Sequence, residues 1–375
     1  MQRFADQPLG DRPAVVVLGA AKLGNYVVLQ PLLRGLRRKY PQADLTYVGS
    51  RRTRELERLN PWIDRSLPLA ERREGASPVL EGWRRRRGSP DLVINADGHS
   101  PHTRAWVRAL APRYVVGEAE LPAGDHPLQR LSLDPDWSAP DLERRYAGWI
   151  GATAIGALFC RVAWLGSDGG DPPPLPSAPP PPDLPPVLLA VDGERPAKLW
   201  PLEQWRALCE RLAADLHLPP PCLGLVGAPP RGVGGPGRAI EEGLLALGVR
   251  DLRGRLRLPE LVGAMAASRL VLAIDSGPMH LAAAAGCPTV AIFAADGLGV
   301  GASPARLWAP RSPRVWVSRT PVHCEGCHGH GFSNDRCVVS GHPCMAALDS
   351  GRLWPLVQAA WRCGGAERVC DLSCA

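Results

Sequence analysis

Short runs of consecutive apolar residues alternate along this chain with longer stretches in which apolar residues recur every three or four positions. Val15-Val16-Val17-Leu18 is the first run; a loop over 19–25 follows, then Val27, Val28, Leu32, Leu33 and Leu36 at helical spacing. Strand, loop and helix are predicted in that order. Leu45-Thr46-Tyr47-Val48, Leu92-Val93-Ile94 and Tyr114-Val115-Val116 are the next predicted strands, separated by helix-length segments. Strands that are apolar throughout and alternate with helices imply a parallel sheet covered on both faces.

The alternation stops at residues 168–186, where Asp168 is followed by GGDPPPLPSAPPPPDLPP. Proline has no N–H to give to a helix or a ladder, so an extended, stiff spacer is expected here. Beyond it the pattern restarts with a strand over 187–191, a helix from 202 to about 215 and a strand over 223–226. Helices around 239–247 and over 258–267, a strand over 270–274, a helix near 278–285 and a strand over 289–293 complete it. The expected organisation is an N-terminal Rossmann-like domain over 1–167, a linker over 168–186 and a second Rossmann-like domain over 187–375. Two doubly wound α/β domains joined in this way would face each other across a cleft, with ligands at the carboxyl ends of the strands.

Composition agrees with this picture: 375 residues suit two domains, and 45% apolar with 22% charged residues is the balance of a globular protein. The first residues lack the apolar stretch of a signal peptide and no segment approaches 18 uninterrupted apolar residues, so a cytoplasmic protein is expected. The net charge of +7 comes almost wholly from arginine, since Lys22, Lys39 and Lys198 are the only lysines. Basic runs at 34–39, 51–54 and 84–87 could face an anionic membrane, a phosphorylated acceptor or simply solvent. They lack interleaved aromatics, which argues against nucleic acid.

Two segments carry chemistry. Asp275-Ser276-Gly277-Pro278-Met279-His280 follows an apolar strand directly and opens an apolar helix. Free N–H groups and the positive end of a helix dipole attract phosphate there; Gly277 permits close approach and Pro278 gives up no needed donor. Ser276 and His280 could reach the same anion and Asp275 suits a sugar hydroxyl, although an ordinary Asp/Ser helix cap explains the pattern equally simply. The second segment, Arg195-Pro196-Ala197-Lys198-Leu199-Trp200-Pro201, lies between a strand and a helix, where the Lys198 ammonium could neutralise a diphosphate.

The pairing of a PxKxWPLExW segment with DSGPMHLAAAAGCPTVAIF resembles glycosyltransferase family 9, the ADP-heptose:lipopolysaccharide heptosyltransferases. The opening VVVLGAAKLGNYVVLQPLLRGLRRKYPQADLTYVGS and the later DLVINADG are similar to that family as well. The resemblance implies a GT-B architecture and inverting, metal-independent transfer of a sugar from an ADP-sugar, without a cofactor. It implies that Lys198, Asp275, Ser276, Gly277, Pro278 and His280 bind the nucleotide sugar. Gly24 and Asn25 fall on the loop facing the reacting centre, and Lys22, Gly24, Arg51, Arg52 and Arg104 are the expected contacts of an anionic glycolipid or glycan acceptor at the inner membrane surface.

Two departures stand out. Asn25 occupies the place of the family's proton-accepting aspartate, and an amide does not take a proton at neutral pH. Asp192-Gly193-Glu194 replaces a Gly-Ala-Ser/Thr stretch near the phosphates. Asp97, at the end of a first-domain strand, is the candidate substitute base, with a turn-forming Asp as the plain alternative. A catalytically silent, ligand-binding paralogue is the rival reading. Cys324, Cys327, Cys337 and Cys344, with histidines between them, have enough soft ligands for a zinc ion; buried or free thiols explain them as well.

Overall fold

The computed structural model describes residues 1–19, 21–69, 75–98, 100–166, 173–230, 237–294, 304–320, 322, 337 and 339–365. The chain divides into two compact units, one of Met1–Trp137 with Asp141–Pro173 and one of Pro174–Ala375 with Ser138–Pro140.

Six parallel strands form the sheet of the first unit: β1 (Gln2–Arg3), β2 (Ala14–Leu18), β3 (Asp44–Gly49), β4 (Arg65–Pro68), β5 (Leu92–Asn95) and β6 (Tyr114–Val116). Their order is β1-β6-β5-β2-β3-β4. The chain therefore leaves β2 through β3 and β4 on one side, then crosses back to β5 on the other. Val17 lies beside Tyr47 of β3 and Ile94 of β5. The second unit repeats the plan with β7 (Val187–Ala190), β8 (Leu223–Leu225), β9 (Arg250–Asp251), β10 (Leu270–Ile274), β11 (Thr289–Phe293) and β12 (Val315–Arg319). Its order, β12-β11-β10-β7-β8-β9, is that of a doubly wound dinucleotide-binding sheet whose strand order reverses between β7 and β10. Ligands of such sheets bind outside the carboxyl ends of the strands at the reversal.

The central strands are those predicted from their apolar runs. β1, β4, β9 and β12 were not predicted, for a shared reason: each is short or half-buried, and all four stand at sheet edges where one flank needs no apolar partner. In the second unit the helix Leu202–Leu216 buries Trp205, Leu208 and Leu212 against the sheet. The fully buried Trp200 packs edge-on against Trp205, with centroids 4.9 Å apart at 79°. Removing an aromatic of this size from a core costs about 3–5 kcal/mol.

The proline-rich segment from residue 174 onward packs on the second unit. Leu175 is buried, and the Ala178 N–H donates to the Pro259 carbonyl at 2.8 Å. Gly263, on the helix Leu258–Ala267, has the Ala178 carbonyl against its Cα, where a Cβ would overlap the oxygen. Gly263→Ala is therefore expected to lower the denaturation midpoint by about 1–3 kcal/mol of stability. Gly82→Ala, also within a helix but facing only flexible arginine side chains, is expected to be neutral or to stabilise by up to about 1 kcal/mol. Urea titrations of the two variants check the contrast; equal midpoints would show that the segment is not docked.

Candidate functional site

In the second unit the two segments singled out by sequence meet at the strand-order reversal. β10 ends at Ile274, and the next residue, Asp275, lies 5% exposed beneath the loop that follows β7. Its Oδ2 is 2.6 Å from Lys198 Nζ, with both side chains largely shielded. Lys198 closes a 3-10 turn, Pro196–Lys198, in which the Leu199 N–H donates to the Pro196 carbonyl at 3.1 Å. That turn is anchored from behind. Trp200 Nε1 donates to the Leu348 carbonyl at 2.6 Å, and His342 hydrogen-bonds the Ala197 backbone.

Helix Gly277–Ala284 opens with Ser276 in an extended conformation and no side-chain cap, so the simple helix-cap reading of the motif does not describe it. The Ser276 hydroxyl is buried without a hydrogen-bond partner among the described residues. An unmade hydrogen bond of that kind costs about 1–3 kcal/mol, a debt that a bound anion's oxygen would cancel. A Cβ on Gly193 would meet Ser276 Cβ at 3.8 Å, which places the β7 loop directly beside the helix start. His280 lies on the first turn, and burial pushes its pKa down to about 4, with Asp275 acting upward and Lys198 downward. It is therefore a neutral imidazole at neutral pH. Sequence suggested that it could reach an anion; the structure limits that to hydrogen bonding without charge.

In the first unit the reversal lies between β2 and β5, where the Ala96 N–H donates to the Leu18 carbonyl at 2.9 Å. Lys22 is exposed and precedes the helix Leu23–Val28, which carries Gly24 and Asn25, both half-buried. Asp97 is also half-buried. The turn that holds it is built by Asn95, whose side chain accepts from the Asp97 N–H at 3.3 Å and donates to the Glu118 carbonyl at 3.0 Å. Gly98 then takes φ +72°, a conformation that favours glycine.

Tyr47 is the residue that sequence reasoning missed. Its hydroxyl is wholly buried, has no hydrogen-bond partner among the described residues, and lies against Gly19, where a Cβ would overlap it. Burial raises its pKa well above the ordinary phenol, and the charges of Glu57 and Asp97 raise it further. Read as a strand residue in an apolar run, Tyr47 gave no sign that its hydroxyl reaches Gly19, where the loop after β2 begins.

Of the expected acceptor contacts, Arg51, Arg52 and Arg104 are exposed. Arg51 and Arg52 lie just past β3 on a turn fastened by the buried Glu57, which accepts from the Ser50 N–H at 3.0 Å, from the Thr53 hydroxyl at 2.5 Å and from the Ser66 hydroxyl. Arg104 is on the helix Pro101–Leu110. Arg37, within the first basic run, is occupied structurally: it pairs with Asp64 at 2.7 Å and donates to the Trp62 and Ala43 carbonyls. Cys324 and Cys327 lie outside the described residues, while Cys337 and Cys344 are half-buried. Among the described residues no group of three His, Cys, Asp or Glu could hold a metal ion, and no helix is long and apolar enough to cross a membrane.

Two doubly wound units, the second with a phosphate-suited helix start and a lysine at its reversal point, make an α/β fold of the GT-B type. The model of glycosyltransferase family 9 (heptosyltransferase) matches residues 180–328. Lipopolysaccharide heptosyltransferase 1 of Pseudomonas aeruginosa is 25% identical over 298 residues, covering 74% of this chain and 78% of that protein. Among solved structures, a family 9 glycosyltransferase from Veillonella parvula superimposes with a TM-score of 0.67 at 16% identity, covering 93% of this chain and 97% of that one. The ADP-heptose LPS heptosyltransferase II of E. coli does so at 0.62 and 19% identity, covering 94% and 100%.

The buried His280 makes stability depend on pH. In the unfolded chain its imidazole titrates near 6.5, in the folded protein near 4, so between these values the unfolded state holds more protons. Stability is expected to fall as pH drops from 6.5 to about 4, by at most about 3 kcal/mol. Denaturation midpoints of native protein and His280→Gln across this window check it: the variant should lose most of the slope, and an unchanged slope would place the proton uptake elsewhere.

Proposed function

We propose that this glycosyltransferase moves a sugar, heptose in the named relatives, from an ADP-sugar to a hydroxyl of an anionic glycolipid or glycan, and that it works at the cytoplasmic face of a membrane. The observation that carries the donor side is the Lys198–Asp275 pair beside the unpartnered Ser276 hydroxyl and the uncapped start of helix Gly277–Ala284. As the bond from the anomeric carbon to the diphosphate breaks, negative charge gathers on the diphosphate. The Lys198 ammonium, the Ser276 O–H and the N–H groups of the helix start stabilise that charge without reorganising. His280 adds a neutral hydrogen-bonding group.

For the acceptor, Asp97 takes the proton of the attacking hydroxyl, because Asn25 cannot and Tyr47 beside it stays protonated. Arg51, Arg52 and Arg104 supply exposed positive charge for an anionic acceptor. A cavity of about 360 Å³ lined by Arg34, Arg38 and Lys39, with Cys160, Trp164 and Leu165 on its apolar side, supports contact with an anionic lipid surface. A second reading, a silent paralogue that binds nucleotide without transfer, is favoured by Asn25 and Glu194.

Calorimetric titration with ADP, UDP and GDP tests the donor class, and Lys198→Ala is expected to weaken ADP binding by about 2–3 kcal/mol. Because Lys198 faces the buried Asp275, the single variant should also melt earlier than native protein, whereas Lys198→Ala with Asp275→Asn should regain stability without regaining the nucleotide. Unchanged ADP affinity in Lys198→Ala would exclude the assignment.

Turnover separates the two readings. With ADP-heptose and a deacylated lipopolysaccharide core, Asp97→Asn is expected to reduce ADP release by 10² to 10⁴ while nucleotide affinity stays unchanged. Normal turnover in Asp97→Asn would rule out this base; no turnover in native protein, with some gained in Asn25→Asp, would favour the silent paralogue.

A further inference from the structure

The loop after β7 carries two acids, Asp192 and Glu194, and the structure treats them differently. Glu194 is exposed. Asp192 turns inward: its Oδ1 is buried and has no hydrogen-bond partner among the described residues. That oxygen packs on Gly237, where any Cβ would overlap it, so the residue that begins the helix Arg238–Leu245 has to be glycine for the carboxylate to fit.

A guanidinium lies in the neighbourhood but is engaged elsewhere. Arg253, 9% exposed, gives one N–H to Glu241 Oε2 at 2.6 Å and two to the Asp251 carboxylate at 2.9 Å each. The Asp192 charge is felt in this cluster, since it helps burial to raise the pKa of Glu241, yet no hydrogen bond or ion pair joins Asp192 to it. The fold thus brings a carboxylate oxygen to the carboxyl end of β7, on the β10 side of which strand order reverses, and the described residues supply it with no donor.

A carboxylate can only accept hydrogen bonds when ionised. A diphosphate at neutral pH has no hydrogen to give, so whatever satisfies Asp192 is not the phosphate that Lys198 and Ser276 suit. Gly193 follows Asp192 directly and passes beside Ser276, where a Cβ would meet Ser276 Cβ at 3.8 Å, so the loop that carries one atom without a partner among the described residues runs alongside the residue that carries the other. The groups bonded directly to a diphosphate in a nucleotide sugar are the ribose on one side and the transferred sugar on the other, and both carry hydroxyls. We infer that Asp192 is a specificity-determining residue of the donor site, accepting a hydroxyl from one of these two rings. This rests on the donor-site reading given above.

Titrations of native protein, Asp192→Ala and Asp192→Asn with ADP, 2′-deoxy-ADP, 3′-deoxy-ADP and ADP-glucose test it and tell the two rings apart. If the ribose is the partner, native protein should bind one deoxy-ADP about tenfold more weakly than ADP, and Asp192→Ala should bind both alike. If the transferred sugar is the partner, Asp192→Ala should match native protein on ADP and lose about tenfold on ADP-glucose. Both variants should melt no lower than native protein without ligand, because they remove a buried negative charge that has no donor among the described residues; earlier melting would show a structural partner and overturn the inference. Equal losses on all four ligands, no change on any, or tighter binding of all would also overturn it, the last by showing that the carboxylate merely repels phosphate. Should native protein bind UDP or GDP and not ADP, the ADP assignment fails while Asp192 is tested on the matching deoxynucleotides; binding of no nucleoside diphosphate would sink both.

Discussion

Lys198 and Asp275 bind together the two loops that meet at the strand-order reversal of the second unit. One follows β7 and the other follows β10, and their only common feature in sequence is that each comes after a buried strand. A pair shielded from water is a poor source of net stability, because desolvating two charges costs about as much as their attraction returns. Its value here is positional. Each charge holds the other at the reversal of strand order, and Lys198 keeps donors in reserve for a ligand. Trp200 and His342 fix the backbone of the lysine turn to the rest of the second unit, so the ammonium arrives at a defined place. Preorganisation of this kind is what lets charges in a dry site stabilise a leaving group.

The same topology serves the first unit with different chemistry. There the reversal between β2 and β5 collects Gly19, Tyr47 and Asp97, and a hydroxyl buried under the loop replaces the ion pair. Around it runs a buried polar network: Asn60 donates to the Tyr26 hydroxyl at 2.9 Å and to Gln30 at 2.7 Å, and the rings of Tyr26 and Tyr47 meet edge-on at 5.6 Å. Such networks fix geometry when every member is satisfied. The Tyr47 hydroxyl, which has no partner among the described residues, lies against Gly19 at the end of β2. The helix Leu23–Val28 that follows carries Asn25, and Asp97 stands at the neighbouring strand end, held by an Asn95 turn.

Arginine does two jobs in this molecule. Arg37 and Arg253 are tied into the fold by carboxylates and backbone carbonyls, which suits the planar, multi-donor guanidinium. Arg51, Arg52 and Arg104 present their charge outward. A basic run in the sequence contains both kinds, and charge counting does not separate them.

The sequence by itself determined the central strands, the α/β class, the two-unit plan and the candidate phosphate-binding segments, because apolar runs and helical spacing report burial directly. The helix Leu258–Ala267 and the strands at 270–274 and 289–293 fall where periodicity put them. Short and edge strands escaped, since half-buried residues leave no such pattern. Tertiary structure decided the rest. Which carboxylate Lys198 would face, that His280 would be neutral, that Tyr47 would reach Gly19 and that Asp192 would turn inward are all relations between loops distant in sequence. Hydrophobic pattern fixes where a strand ends; the neighbours of its last side chain depend on strand order, which residue spacing does not encode.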